Sequence, residues 1–138
     1  MNSNALINNK ITNFERKEEL STSKLVDYVL MQMQVPSQYK GYWYLHFAVC
    51  INVDQKSFLY DGIYEEILSK FSSVPGISYY TIERTMRYTI SKLWSNDERD
   101  NEMLINIFGS MYTEKTHKRP SNMKFATMVA DYIRFTYK

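Results

Sequence analysis

Apolar residues recur at helical spacing along most of this chain. Between residues 78 and 94, Ile82, Met86, Ile90 and Leu93 follow one another at spacings of four, four and three, the stripe an amphipathic helix buries. Glu83, Arg84, Arg87 and Tyr88 fall on the face that packing does not need. Leu25, Val26, Val29, Leu30 and Met33 predict a helix from Ser23 or just before it, ended by Val35-Pro36. Residues 38–53 are apolar on nearly all sides and predict a central buried helix. Trp43, within it, and Trp94 are assigned to the core. Ile63, Ile67, Leu68 and Phe71 predict a helix over 61–71, followed by a turn marked by Pro75-Gly76. Met103, Leu104, Ile107 and Phe108 predict a helix over 98–108 that Gly109 stops. A last helix starts at Ser121 or Asn122 and runs to about Phe135, packing Phe125, Met128, Val129, Tyr132 and Ile133. The pattern therefore predicts a compact all-α domain of six helices over residues 23–138. Residues 1–22, rich in Asn, Lys and Glu and without a sustained period, predict a mobile leader or a frayed short helix. The helices over 61–71 and 78–94, joined by a short turn, form a helix-turn-helix candidate.

Composition narrows the class. The 138 residues suffice for one domain with a proper core, and only four Gly and three Pro argue against a turn-dense all-β fold. The net charge of +2 implies no partner by itself, but its distribution is uneven. The last 27 residues carry a net +4, whereas Asp97, Glu98, Asp100 and Glu102 stand against Arg99 alone. The single cysteine, Cys50, cannot form an intramolecular disulfide and reads as a small buried hydrophobe. It fits a reducing, cytoplasmic setting. No run of 18 apolar residues is present, so no transmembrane helix and no membrane partner are expected.

Little enzyme chemistry is visible. His46 lies in the apolar helix without a Cys or His partner at ligand spacing, and His117 sits in a basic loop. There is no phosphate-cradling glycine loop, zinc spacing or nucleophile–base arrangement. No catalytic residue, cofactor or metal is expected. Arg84 and Arg87 point elsewhere. An arginine on the free face of a packed helix can donate two parallel hydrogen bonds to guanine in the major groove, while a neighbour holds a phosphate. Each has a plainer reading: solvated arginines, with Glu83 as the i,i+4 partner of Arg87. Tyr79, Tyr80 and Tyr88 are phosphate donors or packing residues, with one of the first pair assigned to packing. The loop Lys115–Arg119 is a solvated loop or, beside a recognition helix, a phosphate clamp.

Three blocks bear a closer resemblance. Val35-Pro36 precedes Lys40-Gly41-Tyr42-Trp43-Tyr44-Leu45; Ile82-Glu83-Arg84-Thr85-Met86-Arg87 runs on to Trp94; Arg119-Pro120-Ser121-Asn122 precedes Phe125 and Met128-Val129-Ala130-Asp131. In this order the chain resembles the C-terminal effector domain of the stage-zero sporulation protein A family of response-regulator transcription factors, over about Lys24 to Phe135. The resemblance implies a six-helix domain whose fourth helix enters the major groove of double-stranded DNA, bound head to tail on tandem sites. It makes Glu83, Arg84 and Arg87 the DNA readers: Arg84 on guanine, Glu83 on a cytosine amino group, Arg87 on a base or phosphate. Tyr88 stands where the family often has histidine, and Arg119 where it has lysine. Tyr80, Lys118 and Asn122 complete the candidate contact set. The acidic stretch after Trp94 lies where the family meets the RNA polymerase sigma subunit.

Two departures bear on that implication. Residues 72–78 make a longer turn than the family's. About 23 residues precede the domain, too few for the family's receiver, so phosphorylation-driven dimerisation on this chain is expected to be absent. The alternative function is a protein-interaction module or antagonist that binds a sigma factor or a full-length regulator.

Overall fold

The computed structural model describes residues 21–54, 60–115 and 118–138, with the side chains of residues 60 and 61 left out. The leader expected over 1–22 lies almost wholly outside them. The described residues form seven helices and no strand: α1 Thr22–Gln32, α2 Lys40–Asp54, α3 Tyr60–Lys70, α4 Tyr79–Trp94, α5 Glu102–Phe108, α6 Ser110–Thr113 and α7 Asn122–Tyr137.

Local chemistry sets most boundaries. Ser21 caps α1 by accepting from the Lys24 N–H, and Ser121 caps α7 by accepting from that of Lys124. Helix α4 begins with a full capping box. The Ser78 hydroxyl accepts from the Thr81 N–H (3.1 Å) and the Thr81 hydroxyl from the Ser78 N–H (2.8 Å). Helix α1 stops earlier than Pro36 alone requires, because Gln34 turns into the left-handed region (φ 64°).

The helix expected over 98–108 differs most. Asn96 accepts from the Glu98 N–H, Arg99 adopts φ 50°, and Asn101 supplies the N-cap, so α5 starts only at Glu102. These local bonds compete with helix in the stretch 96–101. Gly109 (φ 55°) ends α5 as expected, but one further helical turn, α6, follows it and buries Tyr112. The sixth expected helix is α7, which starts at Asn122 as expected and ends at Tyr137, two residues beyond Phe135.

Helix α2 is the hub, packed against α1, α3, α4 and α7. Tyr42, Tyr44, Leu45, Ala48, Val49 and Val53 are buried on it. Trp43 is not: it stands 48% exposed, against the core position expected for it. A helix apolar on all sides carries no stripe to say which side meets solvent. Trp94 is buried as expected, between the rings of Phe108 and Tyr112. His46 ties α2 to α1 through its Nε2 and the Ser23 carbonyl (2.9 Å). Its Nδ1 faces the Cys50 thiol, whose pKa burial and the nearby Asp54 and Asp27 push up to about 12.

Candidate nucleic-acid interface

Helix α4 is clamped along both edges of its buried stripe. Ile82, Met86, Thr89 and Ile90 are fully or almost fully buried. On one edge it meets the start of α2. A Cβ on Gly41 would lie 2.7 Å from the Thr85 carbonyl oxygen and 2.0 Å from the Thr89 hydroxyl, so only glycine permits this approach. On the other edge it meets the start of α7. The Asn122 amide, 6% exposed, donates to the Glu83 carbonyl (2.9 Å) and to the Tyr64 hydroxyl (3.1 Å), joining α3, α4 and α7. Burial raises the Tyr64 pKa above the ordinary phenol value, and Asn122 partly offsets that. The amide N–H groups of Asn122 are engaged inside the protein, where they tie the three helices together.

With those edges occupied, 3.6 residues per turn puts Arg84 and Tyr88 on the opposite crest. Both are exposed, Tyr88 at 52%. Tyr80, 62% exposed, lies toward the same side, while Tyr79 packs its ring against Tyr64, tilted 46° with centroids 4.7 Å apart, and is the packing member of the pair. Arg87 reaches Glu83 across one helical turn at 3.7 Å, in an exposed pair that contributes about 0.2–0.5 kcal/mol. So weak a pair leaves both side chains available to a stronger partner. Tyr88 packs its ring against Tyr39 (centroids 5.7 Å apart), and the Lys92 ammonium lies 5.2 Å from its centre.

The basic loop converges on the same helix. Buried Pro120 anchors it, and Arg119 and Lys118 stay exposed. Arg119 lines a cleft of about 340 Å³ with Glu83, Arg87, Tyr64 and Ser121. It also lines a second of about 310 Å³ with Lys118, Arg99, Ser91 and Trp94, and a third of about 620 Å³ with Lys118, Lys124, Phe108 and Met111. Positive charge thus runs from the crest of α4 across to the start of α7, where the helix presents its free N–H groups. The structure brings Glu83, Arg87, Lys118 and Arg119 together, with Arg84, Tyr88 and Tyr80 on the adjoining crest.

A family model described as sporulation initiation factor Spo0A C terminal matches residues 26–133. The chain belongs to this family. The Spo0A-type assignment makes it an all-helical effector domain of the DNA-binding, sporulation-regulator kind, a transcription-factor domain rather than a member of an enzyme family. Double-stranded DNA is the partner class that goes with it. The match spans α4 and the start of α7, the two elements that build the basic surface.

Several residues on this surface were not legible beforehand. Arg99, counted in sequence as the lone cation of an acidic stretch, turns inward. It donates to the Tyr112 carbonyl (3.1 Å) and lies 5.8 Å from that ring's centre. Lys124 sits one turn beyond Ser121 and was signalled only by its place in the first turn of a helix. Among the described residues, no group of three or more His, Cys, Asp or Glu side chains could hold a metal ion. Nor is any helix among them long and apolar enough to cross a membrane.

Proposed function

We propose that this domain reads a specific DNA sequence by laying α4 in the major groove, with α3 and the turn before α4 serving as the rest of a helix-turn-helix. Arg84 donates to a guanine, Arg87 and Glu83 meet neighbouring bases or a phosphate, and Tyr80, Tyr88, Lys118 and Arg119 position the backbone. The observation that carries this reading is the exposed Arg84 crest of a helix held on both edges, with Arg119 sharing the cleft of Arg87. A rigidly held helix presents its side chains at fixed spacing, as base recognition requires.

The test is selection from a randomised DNA pool, followed by affinities for the enriched and a scrambled sequence. Arg84→Ala should weaken the enriched sequence by about 1–3 kcal/mol and relax preference. Arg119→Ala should weaken both sequences alike and flatten the salt dependence by about one contact. A pool that enriches nothing at low salt would refute the reading.

One observation favours a second surface on the same domain. Asp97, Glu98, Asp100 and Glu102 are all exposed, and among the described residues only Asp97 of the four forms an ion pair, with Lys115 at 3.8 Å. This acidic edge suits a basic protein partner such as the RNA polymerase sigma subunit, or the neighbouring copy in a head-to-tail pair on DNA. Reversing Glu98 and Asp100 to Lys should then abolish transcriptional output while leaving DNA affinity undiminished. Unchanged output would remove the second surface.

A further inference from the structure

We propose that Tyr39 and Lys92, packed on the ring of Tyr88, and Lys40, at the adjoining start of α2, form a second phosphate-binding flank, so that α4 is held to DNA backbone on both of its sides. The inference rests on the DNA reading above and adds residues that neither the family resemblance nor the basic loop assigned.

The geometry follows from the way α4 is packed. Met86 lies in the middle of its buried stripe and Arg84 and Tyr88 on the opposite crest. Successive residues turn by about 100°. Arg87 therefore falls on one side of that crest, and Thr85 and Lys92 on the other. The Arg87 side faces Arg119 and the start of α7. The Thr85 side faces the start of α2, because Gly41 abuts the Thr85 carbonyl and Thr89. Tyr39 and Lys40 immediately precede Gly41, so this close approach delivers them to the flank that the basic loop does not reach.

Two side chains of this flank pack on one ring. Tyr39 packs on Tyr88 from the residue before α2, and the Lys92 ammonium lies over Tyr88 from one turn further along α4. Lys40 and Lys92 are exposed, and neither forms an ion pair among the described residues. An ammonium held by an aromatic face loses less freedom when a phosphate arrives. A compact ammonium suits a phosphate oxygen, whereas the planar guanidinium of Arg84 suits a base edge. A duplex groove presents backbone on both walls, so a helix lying in it has use for cations on both flanks. The plainer alternative is that Lys40 and Lys92 are solvated surface lysines.

Affinity for the selected DNA and for a scrambled duplex, measured between 50 and 200 mM salt, separates the two. Lys40→Gln and Lys92→Gln should each reduce the slope of log affinity against log salt by about 0.9. Each should weaken both duplexes by the same factor. Tyr88→Phe should keep the wild-type slope, because the ring is what orders Lys92, while Tyr88→Ala should weaken both duplexes as Lys92→Gln does. Lys138→Gln is the charge-matched control, since Lys138 lies at the far end of α7 beside Thr22. Slopes for Lys40→Gln and Lys92→Gln that equal the control's would overturn the flank. If the wild type still selects a sequence and Arg84→Ala loses it, the flank alone has failed. A wild type that binds no DNA removes both readings together.

Discussion

Replacing Gly41 by alanine tests the packing that presents α4. In an unpacked helix this change should help, by up to about 1 kcal/mol of intrinsic propensity. Here the new methyl carbon would stand 2.7 Å from the Thr85 carbonyl oxygen, 2.9 Å from the Thr89 Cβ and 2.0 Å from its hydroxyl. Carbon and oxygen ordinarily approach no closer than about 3.3 Å. Thr89 can swing its hydroxyl away only by giving up its bond to the Thr85 carbonyl (2.9 Å), and the side chain is fully buried. An unmet buried hydroxyl costs about 1–3 kcal/mol. The Thr85 carbonyl is backbone and retreats only if α2 and α4 move apart by roughly 0.6 Å, an overpacking strain of about 1–3 kcal/mol. Because relief by one route lessens the need for the other, the two do not simply add. Set against the propensity gain, they leave a net destabilisation of about 1–3 kcal/mol.

Urea unfolding followed by far-ultraviolet circular dichroism measures this directly, and thermal unfolding should show a midpoint lower by roughly 4 °C per kcal/mol. Thr89→Ala in the Gly41→Ala background removes the nearest clashing atom but not the Thr85 carbonyl, so it should restore part of the loss. The two accounts differ in sign. A Gly41→Ala protein as stable as the wild type, or more so, would show that α2 and α4 are not locked at this contact. The positioning of α4 would then need another cause.

Other outcomes follow from single contacts. Asn122→Ala removes a second hydrogen bond to the Glu83 carbonyl and the one donated to the Tyr64 hydroxyl, so it should destabilise by about 1–2 kcal/mol in urea titration while leaving the salt slope of DNA binding unchanged. A reduced slope would return Asn122 to the DNA surface. Ser78→Ala removes half of the capping box and should cost about 1 kcal/mol, read by the same titration. The Cys50 thiol, with its pKa raised to about 12, should react with iodoacetamide at pH 8 about a thousandfold more slowly than a free thiol. The folded value lies above the unfolded one, so this group's contribution to stability is complete below the unfolded pKa and fades as pH rises from about 9 toward 12. Rapid native-state alkylation at pH 8 would contradict the partial burial of Cys50.

The sequence pattern carried α4 almost to the residue, because its stripe and its cap are local. Ile82, Met86, Ile90 and Leu93 define the buried side, and Ser78 with Thr81 closes the start. It misplaced the start of α5 for an equally local reason. Asp97, Glu98 and Arg99 are tolerable in a helix, yet Asn96 and Asn101 offer their side chains to the backbone and win that competition. The interface is different in kind. A motif match transfers the identity of Asn122 but not its direction, which depends on Tyr64, 58 residues away in the chain. The place of Lys40 depends on Gly41 lacking a Cβ opposite Thr85 and Thr89, contacts no spacing rule reaches. The exposed residues proposed as readers are thus the part visible in sequence, while the residues that fix the helix carrying them, Gly41 and Asn122, are visible only once helices meet. Substitutions at the proposed readers should change which DNA is bound; substitutions at Gly41 and Asn122 should change whether a fixed reading surface exists at all.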